Sequence, residues 1–321
     1  MNINPILVVS HPRSGSHFLM TALRQNFPNV FDVQSPYFAL DNLLIPGDQT
    51  IKKRFVEWYN HTINQNKIPL IEIKCLIEDL RNFIEINDKN SKEVKIVQEI
   101  INNGVFLNII RDPRNCLLSW YKLCKSGGAI TFAGSKFRLS NMNYEEFISS
   151  TNMHKLPNRK LMDYDLTTLD FCAYHHSSWK NFTENKKDQI IYYNELNKNY
   201  ETSFKEILKF IEKKFELMLI NDQNKFDRPP NAYDARYYRK IGKFIKHFES
   251  IFYSNKSKKI FKLLNINLSK LREKITSSFL ASSLPEVERE FKPQEDLNHK
   301  ILDKYNKAYE KYSGTQQTKF I

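Results

Sequence analysis

The chain has 321 residues and a mass of 38.2 kDa; 41% of the residues are hydrophobic, 13% aromatic and 26% charged. This composition excludes a wholly disordered chain and suffices for one large α/β domain or two ordinary ones. Lys and Arg outnumber Asp and Glu by 49 to 36, and the resulting net charge of +13 favours anionic partners: nucleic acid, a membrane surface, or a phosphorylated or sulfated small molecule.

Cysteine usage and hydropathy narrow the class of protein further. Four cysteines, none of them in a CxxC pair, do not form a disulfide framework in a chain of this length. This pattern predicts a reducing, cytoplasmic location and no metal. Residues 5–9 form the only apolar run near the amino terminus, and no later segment reaches about eighteen uncharged apolar residues, so we expect neither a signal peptide nor a membrane span.

The first predicted unit is a strand, a tight turn and a helix. Residues 5–10 are a short run of branched apolar residues, typical of a strand that is buried on both faces of a parallel sheet. A turn with Pro12 and Gly15 follows, and then apolar residues at helical spacing over residues 18–27. Because the first N–H groups of a helix have no partner within it, and because the helix dipole favours negative charge there, this order indicates a phosphate-binding corner.

Further strands and helices alternate along the chain. The other predicted strands span residues 69–74, 105–110 and 189–193. Helical patterns span residues 51–63, 92–103, 115–125 and 200–215. Alternation of this kind predicts a single α/β domain with a mostly parallel central sheet and helices on both faces.

Two stretches differ from this pattern. Residues 126–143 have little periodicity and contain three glycines, which is typical of a loop over a site. From about residue 250 the chain is Lys-rich and helical in character, as in residues 299–312. We therefore predict one domain over residues 1–250 and a helical extension over residues 251–321 that packs on it or continues it.

The turn after the first strand carries groups that suit an oxyanion. Gly15 lets the backbone approach closely, Ser14 and Ser16 add hydroxyl groups, and Arg13 adds a forked cation. The Walker pattern GxxxxGK[ST] is absent, and with it the lysine and the Mg²⁺-binding hydroxyl that follows. A plain turn is the alternative interpretation.

A second candidate site lies in residues 108–121. Arg111 stands at the carboxyl end of a predicted strand, where ligands of open α/β sheets bind, and Ser119 follows eight residues later. Asp112 and Pro113 are typical of a helix start. The segment is either a capped helix with surface arginines or a second phosphate site formed by Arg111 and Ser119.

Together these two segments resemble the donor-binding motifs of the sulfotransferases that use 3′-phosphoadenosine 5′-phosphosulfate (PAPS). The resemblance implies a P-loop NTPase-like fold and transfer of a sulfuryl group from PAPS to a hydroxyl or amine without a metal. It implies that the first motif holds the 5′-phosphosulfate through Arg13, Ser14, Gly15, Ser16 and His17. It implies that Arg111 and Ser119 bind the 3′-phosphate.

Other segments resemble the same family in the same order, from residue 5 to about residue 250. Residues 171–182 resemble its His–x3–Trp helix, with His175 and Trp179. Residues 189–197 resemble the strand that ends in YEDL, which puts Tyr193 near the adenine, and Phe18 has the position of an aromatic residue that stacks on adenine. Residues 237–248 are similar to the segment that closes over the 3′-phosphate. In that segment the implied donor contacts are Arg239, Lys240 and Gly242.

The catalytic groups follow the family only in part. The resemblance implies that Arg13 and Lys74 are the cations at the sulfuryl group, but Cys75 and Leu76 replace the residues after the family's lysine, among them its catalytic histidine. The candidates for the general base are His17, Glu72 and Asp32. Each has a competing interpretation: a phosphate contact for His17, an outward-facing strand residue for Glu72, and ordinary loop chemistry for Asp32.

Three alternatives to an active sulfotransferase remain open from the sequence. One is a nucleotide or nucleoside kinase, which the missing Walker lysine disfavours. Another is a noncatalytic nucleic-acid-binding protein, which lacks any RNP, KH or zinc signature here, so we expect no nucleic-acid partner. The third is a PAPS-binding homologue without activity. The acceptor, whether small molecule, glycan or lipid, cannot be derived from these residues.

Overall fold

The structure is a computed structural model that describes residues 4–32, 40–44, 49–125, 142–151, 166–220, 225–229 and 295–315. The described strands form one parallel sheet in the order β2-β1-β3-β4. They are β1 (Ile6–Ser10), β2 (Leu70–Ile73), β3 (Val105–Ile110) and β4 (Gln189–Tyr192). All four lie within one residue of the predicted bounds at either end, because short branched runs between helical patterns mark buried parallel strands well.

Helices connect these strands. Their bounds are α1 (Ser16–Asn26), α2 (Gln49–Asn64), α3 (Ile77–Ile86), α4 (Lys92–Asn103), α5 (Pro113–Lys125), α6 (Tyr144–Ser149), α7 (Thr168–Asn185), α8 (Tyr193–Lys198), α9 (Tyr200–Phe215) and α10 (Glu295–Thr315), and a 3₁₀ helix spans Leu40–Leu44. The sequence patterns did not predict α3, α6, α8 or the 3₁₀ helix. In the described part of the chain, no helix combines the length and the apolar character that crossing a membrane requires.

Both faces of the sheet are covered, as predicted. Ile6 and Val8 of β1 point to a cluster formed with α1 and α9, while Leu7 and Val9 point to a cluster formed with α2, α3 and α4. Trp179 of α7 joins the second cluster. Successive side chains of β1 therefore pack into two apolar layers, one on each face of the sheet, and the predicted α/β fold class is confirmed.

Helix α10 packs beside α5 and α7. Its residues Ile301, Tyr305 and Ala308 share one apolar cluster with Leu117 of α5 and Ala173 of α7. The helical character predicted for residues 299–312 is therefore confirmed. The division at residue 250 stays a prediction, since the residues around it lie outside the described ranges.

The strand order creates a crevice between β1 and β3. The chain passes from β1 to β2 on one side and then returns to β3 on the other side of β1. In open α/β sheets such a switch point, at the carboxyl ends of the strands, is where ligands bind. Both predicted phosphate motifs begin there, because one follows β1 and the other follows β3.

Candidate functional site

The loop from β1 to α1 has an unusual backbone. Arg13 and Gly15 both have positive φ angles, of 71° and 109°. The Ser14 N–H donates to the His11 carbonyl oxygen at 3.0 Å, and α1 then begins at Ser16 without a side chain capping its first turn. The loop therefore curls around the positive end of the α1 dipole, which suits an anion.

Gly15 lies directly under an aromatic ring. A Cβ atom at this position would overlap the side chain of Tyr193, which begins α8. The Arg111 guanidinium lies 4.7 Å from the centroid of the same ring. Tyr193 thus packs between the two motifs, and Gly15 is required both by its φ angle and by this contact.

We expect Gly15→Ala to weaken donor binding by about tenfold or more, because strain at positive φ and overlap with Tyr193 cost roughly 1–3 kcal/mol each. Nucleotide titration calorimetry on the wild type and the variant measures this effect. Gly104→Ala is the control, since its Cβ would press on Leu7 and the Ile100 carbonyl at the opposite edge of the sheet. Equal loss of donor affinity in both variants would contradict a local role for Gly15.

The two phosphate motifs touch each other. Arg13 Nε donates to Ser119 Oγ at 3.1 Å, and Arg111 Nη1 donates to the Arg13 carbonyl oxygen at 2.9 Å. Arg111 Nε is buried and has no hydrogen-bond partner among the described residues. Because a buried guanidinium N–H without a partner is costly, this atom marks a place where an anionic ligand would be stabilised.

A second cluster forms at the carboxyl ends of β1 and β2. Glu72 Oε1 lies 2.9 Å from Lys74 Nζ and 3.3 Å from His17 Nε2, and it accepts a hydrogen bond from the Ser16 hydroxyl. The Glu72 side chain is only 5% exposed, so the alternative of an ordinary outward-facing strand residue is wrong. Burial alone would raise the pKa of Glu72, but the charges of Lys74 and His17 outweigh it and hold that pKa well below its ordinary value of 4.5.

We expect Glu72→Gln to lower the free energy of unfolding at neutral pH by on the order of 3 kcal/mol, because it leaves a largely buried cation without its counterion. The folded-state pKa is lowered, so this stabilisation is fully present above the ordinary value of 4.5 and is lost as the pH falls below it. Urea unfolding of both proteins from neutral to acid pH measures the change. Glu57→Gln, which removes the charge of an exposed pair with Lys53, is the control. A difference in unfolding free energy between the wild type and Glu72→Gln that increases toward acid pH would contradict the assignment.

The segment after β2 is fixed by two residues that the sequence analysis did not identify as part of this arrangement. Asp41, in the 3₁₀ helix, accepts from the Lys74 N–H at 3.0 Å and the Cys75 N–H at 2.7 Å. Trp179 Nε1 of α7 donates to the Cys75 carbonyl oxygen at 2.8 Å. These contacts hold the backbone from which the Lys74 side chain extends; an Asp in a loop and a Trp in a helix carry no local signal for such a contact.

Asp32 lies away from both clusters. Its carboxylate pairs with Arg24 at 3.0 Å and accepts from the Leu70 N–H at 2.8 Å, at the amino end of β2. The parallel strand β1 separates that edge from the phosphate loop by about 13 Å at 3.3 Å per residue. Burial raises the pKa of Asp32 against the opposing charge of Arg24. Asp32 holds the loop after α1 in place, and it is too far from the phosphate loop to be the general base.

The remaining predicted residues fall into two groups. Phe18 is 5% exposed and packs edge-on against Tyr193 at 6.1 Å and Tyr200 at 5.7 Å, so it is a core residue in this structure, and its predicted stacking on adenine stays a prediction. His175 is fully buried in α7. Arg239, Lys240 and Gly242 lie outside the described residues, as does most of the predicted loop over residues 126–143.

The sheet and its site define the class of protein. An open parallel sheet with a strand–loop–helix corner and two arginines at its switch point is a P-loop-like α/β fold. The sulfotransferase domain family matches residues 4–228, which is more than half of the chain, and the chain belongs to that family of transferases.

Solved structures and curated sequences complete the comparison. A mouse sulfotransferase complexed with PAP is 16% identical, with a TM-score of 0.38 over 82% of this chain and 88% of that chain. The sulfotransferase domain of an olefin synthase from Synechococcus is 10% identical, with a TM-score of 0.35 over 69% of this chain and 81% of that chain. No curated protein matches the chain in sequence. The family assignment therefore rests on the sulfotransferase domain match.

Proposed function

We propose that this protein transfers a sulfuryl group from PAPS to a hydroxyl or amine acceptor in the cytoplasm. One observation carries the proposal: Arg13 and Ser119, from motifs 106 residues apart, are joined by a hydrogen bond at the switch point of the sheet. Family membership favours this reaction over that of a nucleotide kinase, for which the chain also lacks the Walker lysine. The acceptor is a small molecule, glycan or lipid with such a group.

The donor would span the two adjoining motifs, with one phosphate at each. Arg111 and Ser119 would bind the 3′-phosphate, and the unpartnered Arg111 Nε supports this role. The loop of residues 14–17 and the first turn of α1 would bind the 5′-phosphate. Tyr193, whose ring lies beside both Gly15 and Arg111, would pack against the nucleoside between the two phosphates.

The charges at the site suit in-line transfer. A sulfuryl transfer needs the nucleophile, sulfur and leaving oxygen in line, together with positive charge where the leaving phosphate develops negative charge. Arg13, Lys74 and the amino end of α1 supply this charge from fixed positions. Preorganised donors of this kind are the largest contribution to many enzyme rates.

His17 is the base candidate that the geometry favours. Its side chain is 30% exposed, whereas Glu72 is buried and already holds Ser16, Lys74 and His17. With Nε2 directed at the Glu72 carboxylate, the partly exposed imidazole is the group that would accept the acceptor's proton. Glu72 is then a positioning residue that orients the imidazole, and the lowered pKa of its carboxyl keeps it ionised for that role.

We expect the wild type to bind PAPS about 10–100-fold more tightly than its 3′-dephospho analogue, and Arg111→Ala to lose most of this preference, since charge-assisted hydrogen bonds contribute about 1.5–3 kcal/mol. Titration calorimetry with both nucleotides measures the preference. Arg114→Ala is the matched control because Arg114 is paired with Asp112 at 2.6 Å. A preference retained in Arg111→Ala would contradict the assignment.

Transfer itself is tested with sulfur-labelled PAPS and a panel of phenols, alcohols, amines, oligosaccharides and glycolipids. Label that appears on any acceptor, and is lost in Arg13→Ala, supports an enzyme. Tight PAPS binding with no transfer to any class would contradict the proposed reaction and leave a nucleotide-binding homologue.

A further inference from the structure

A buried cluster of metal-ligating side chains lies beneath the phosphate loop; its Cys116 Sγ is 3.5 Å from Ser14 Oγ, but none of its members is a proposed donor contact. His11 directly follows β1, Cys116 is in the first turns of α5, and Cys172 is in α7. One ligand atom from each of these residues lies within 4.8 Å of the other two, and all three residues are fully buried. Three elements distant in sequence thus bring an imidazole and two thiols to one point.

Two more histidines extend the cluster along α7. His175 and His176 are three and four residues after Cys172, so all three share one face of the helix. The rings of His175 and His176 lie 5.8 Å and 5.7 Å from the ring of His11, centroid to centroid. Like His11, both histidines are fully buried.

The imidazole nitrogens of this cluster are poorly satisfied. Among the described residues, His11 Nε2, His176 Nε2 and both ring nitrogens of His175 are buried without a hydrogen-bond partner. Buried polar groups normally have hydrogen-bond partners, so several unpaired nitrogens in one place indicate that a ligand is missing there. Trp120 and Phe171 pack on the His11 ring at 5.2 Å and 5.8 Å, and the Pro12 carbonyl oxygen lies 3.0 Å from both His11 Nδ1 and Cys116 Sγ.

We propose that this cluster binds one Zn²⁺ ion through His11, Cys116 and Cys172, with His176, whose ring lies 5.7 Å from that of His11, as the fourth ligand. Two thiolates and two imidazoles are the ligand set of closed, tetrahedral structural zinc sites. Such an ion would satisfy nitrogens that the protein leaves without partners. A disulfide between the two cysteines would leave the same imidazoles orphaned.

Outer contacts orient the proposed ligands. His176 Nδ1 lies 2.8 Å from the Tyr305 hydroxyl of α10, which leaves Nε2 as the coordinating atom. Metal-bound histidines usually engage their second ring nitrogen in this way, which fixes the tautomer and the ring plane. Tyr305 therefore has a role at the site, and α10 is tied to the core through it.

The position of the ion indicates its purpose. His11 is two residues before Arg13, and Cys116 is one helical turn before Ser119. A zinc ion here would hold the phosphate loop against α5 and α7, so that the two donor motifs keep their relative position. The sequence analysis predicted no metal because none of the cysteines forms a CxxC pair; here the ligands come from three separate elements.

The first experiment needs no substitution. The full chain, without a histidine tag, is purified from zinc-supplemented medium, dialysed against a chelator and analysed for metals by plasma mass spectrometry. We expect about one zinc per chain, and X-ray absorption to show sulfur neighbours at about 2.3 Å and nitrogen neighbours at about 2.0–2.1 Å. A protein that retains no zinc, or a zinc without sulfur neighbours, would overturn the proposal.

The second experiment assigns the ligands. Cobalt added to the metal-free chain should give a thiolate-to-cobalt charge-transfer band that falls by about half in Cys172→Ser, since one of two thiolate ligands is removed. Cys75→Ser is the matched control, because Cys75 is equally buried but outside the cluster. His176→Gln should keep the charge-transfer band and change the visible ligand-field bands. A band that is absent from the wild type, or unchanged in Cys172→Ser, would refute the site whatever the outcome of the transfer assays.

Discussion

Replacing Arg13 by Ala is expected to lower the kcat of sulfuryl transfer by about 10²–10³-fold, the loss typical of one preorganised charge-stabilising group. Its guanidinium is held by the bond from Nε to Ser119, and its backbone, at a φ of 71°, is held by the Arg111 bond to its carbonyl oxygen. A cation held in place before the reaction starts needs no reorganisation when charge develops on the leaving phosphate. The Kd for PAPS should rise much less, because Arg111 and the first turn of α1 remain.

Single-turnover kinetics with labelled PAPS, paired with titration calorimetry, separate these two effects. Arg13→Lys is the informative control, since it keeps the charge but not the Nε hydrogen bond to Ser119, and it should recover part of the rate. Arg114→Ala removes one positive charge nearby from an existing pair with Asp112 and should leave turnover unchanged. A raised Kd for PAPS with an unchanged kcat would assign Arg13 to donor binding alone.

The sequence predicted the sheet and the position of its phosphate loop because both depend on local patterns. A run of branched apolar residues, a turn with Pro12 and Gly15, and helical spacing from residue 18 are visible without long-range information. The same holds for Arg111, which follows a strand directly. Parallel strands bring their carboxyl ends to one edge, so residues that follow β1 and β3 must meet there.

The direction of individual side chains was not predictable in the same way. Along β2 every residue is buried, so the alternation that would distinguish an inward from an outward face carries no information for Glu72. Its environment is set by Ser16 and His17, which are more than 50 residues away. Asp32 was a candidate because it is a carboxylate in a loop, and only the pairing of Phe31 with Ile68 shows that this loop is at the opposite edge of the sheet.

Contacts between helices were beyond the sequence patterns for a related reason. Tyr193 over Gly15, and Trp179 on the Cys75 carbonyl, join elements about 180 and 100 residues apart. An aromatic residue in a helical pattern predicts burial but not the partner against which it is buried. The buried histidines of α7 illustrate the same point, since their spacing fits an ordinary core helix and only the fold brings His11 and Cys116 to them.

Replacing His17 by Asn is expected to lower kcat by about 10²–10⁴-fold, the contribution of a well-placed general base. Glu72→Gln should lower kcat by a smaller factor, because Glu72 orients the imidazole without taking the proton.

The kcat at neutral pH under donor saturation measures both variants. His61→Asn is the matched control, since His61 is exposed on α2 and bonds only to Gln65 among the contacts described, and it should leave kcat unchanged. If His17 instead serves as a cation against the sulfuryl group, His17→Lys should keep much of the rate, because lysine supplies the charge. That result, or a loss of kcat in Glu72→Gln as large as the loss in His17→Asn, would contradict the role of His17 as the base.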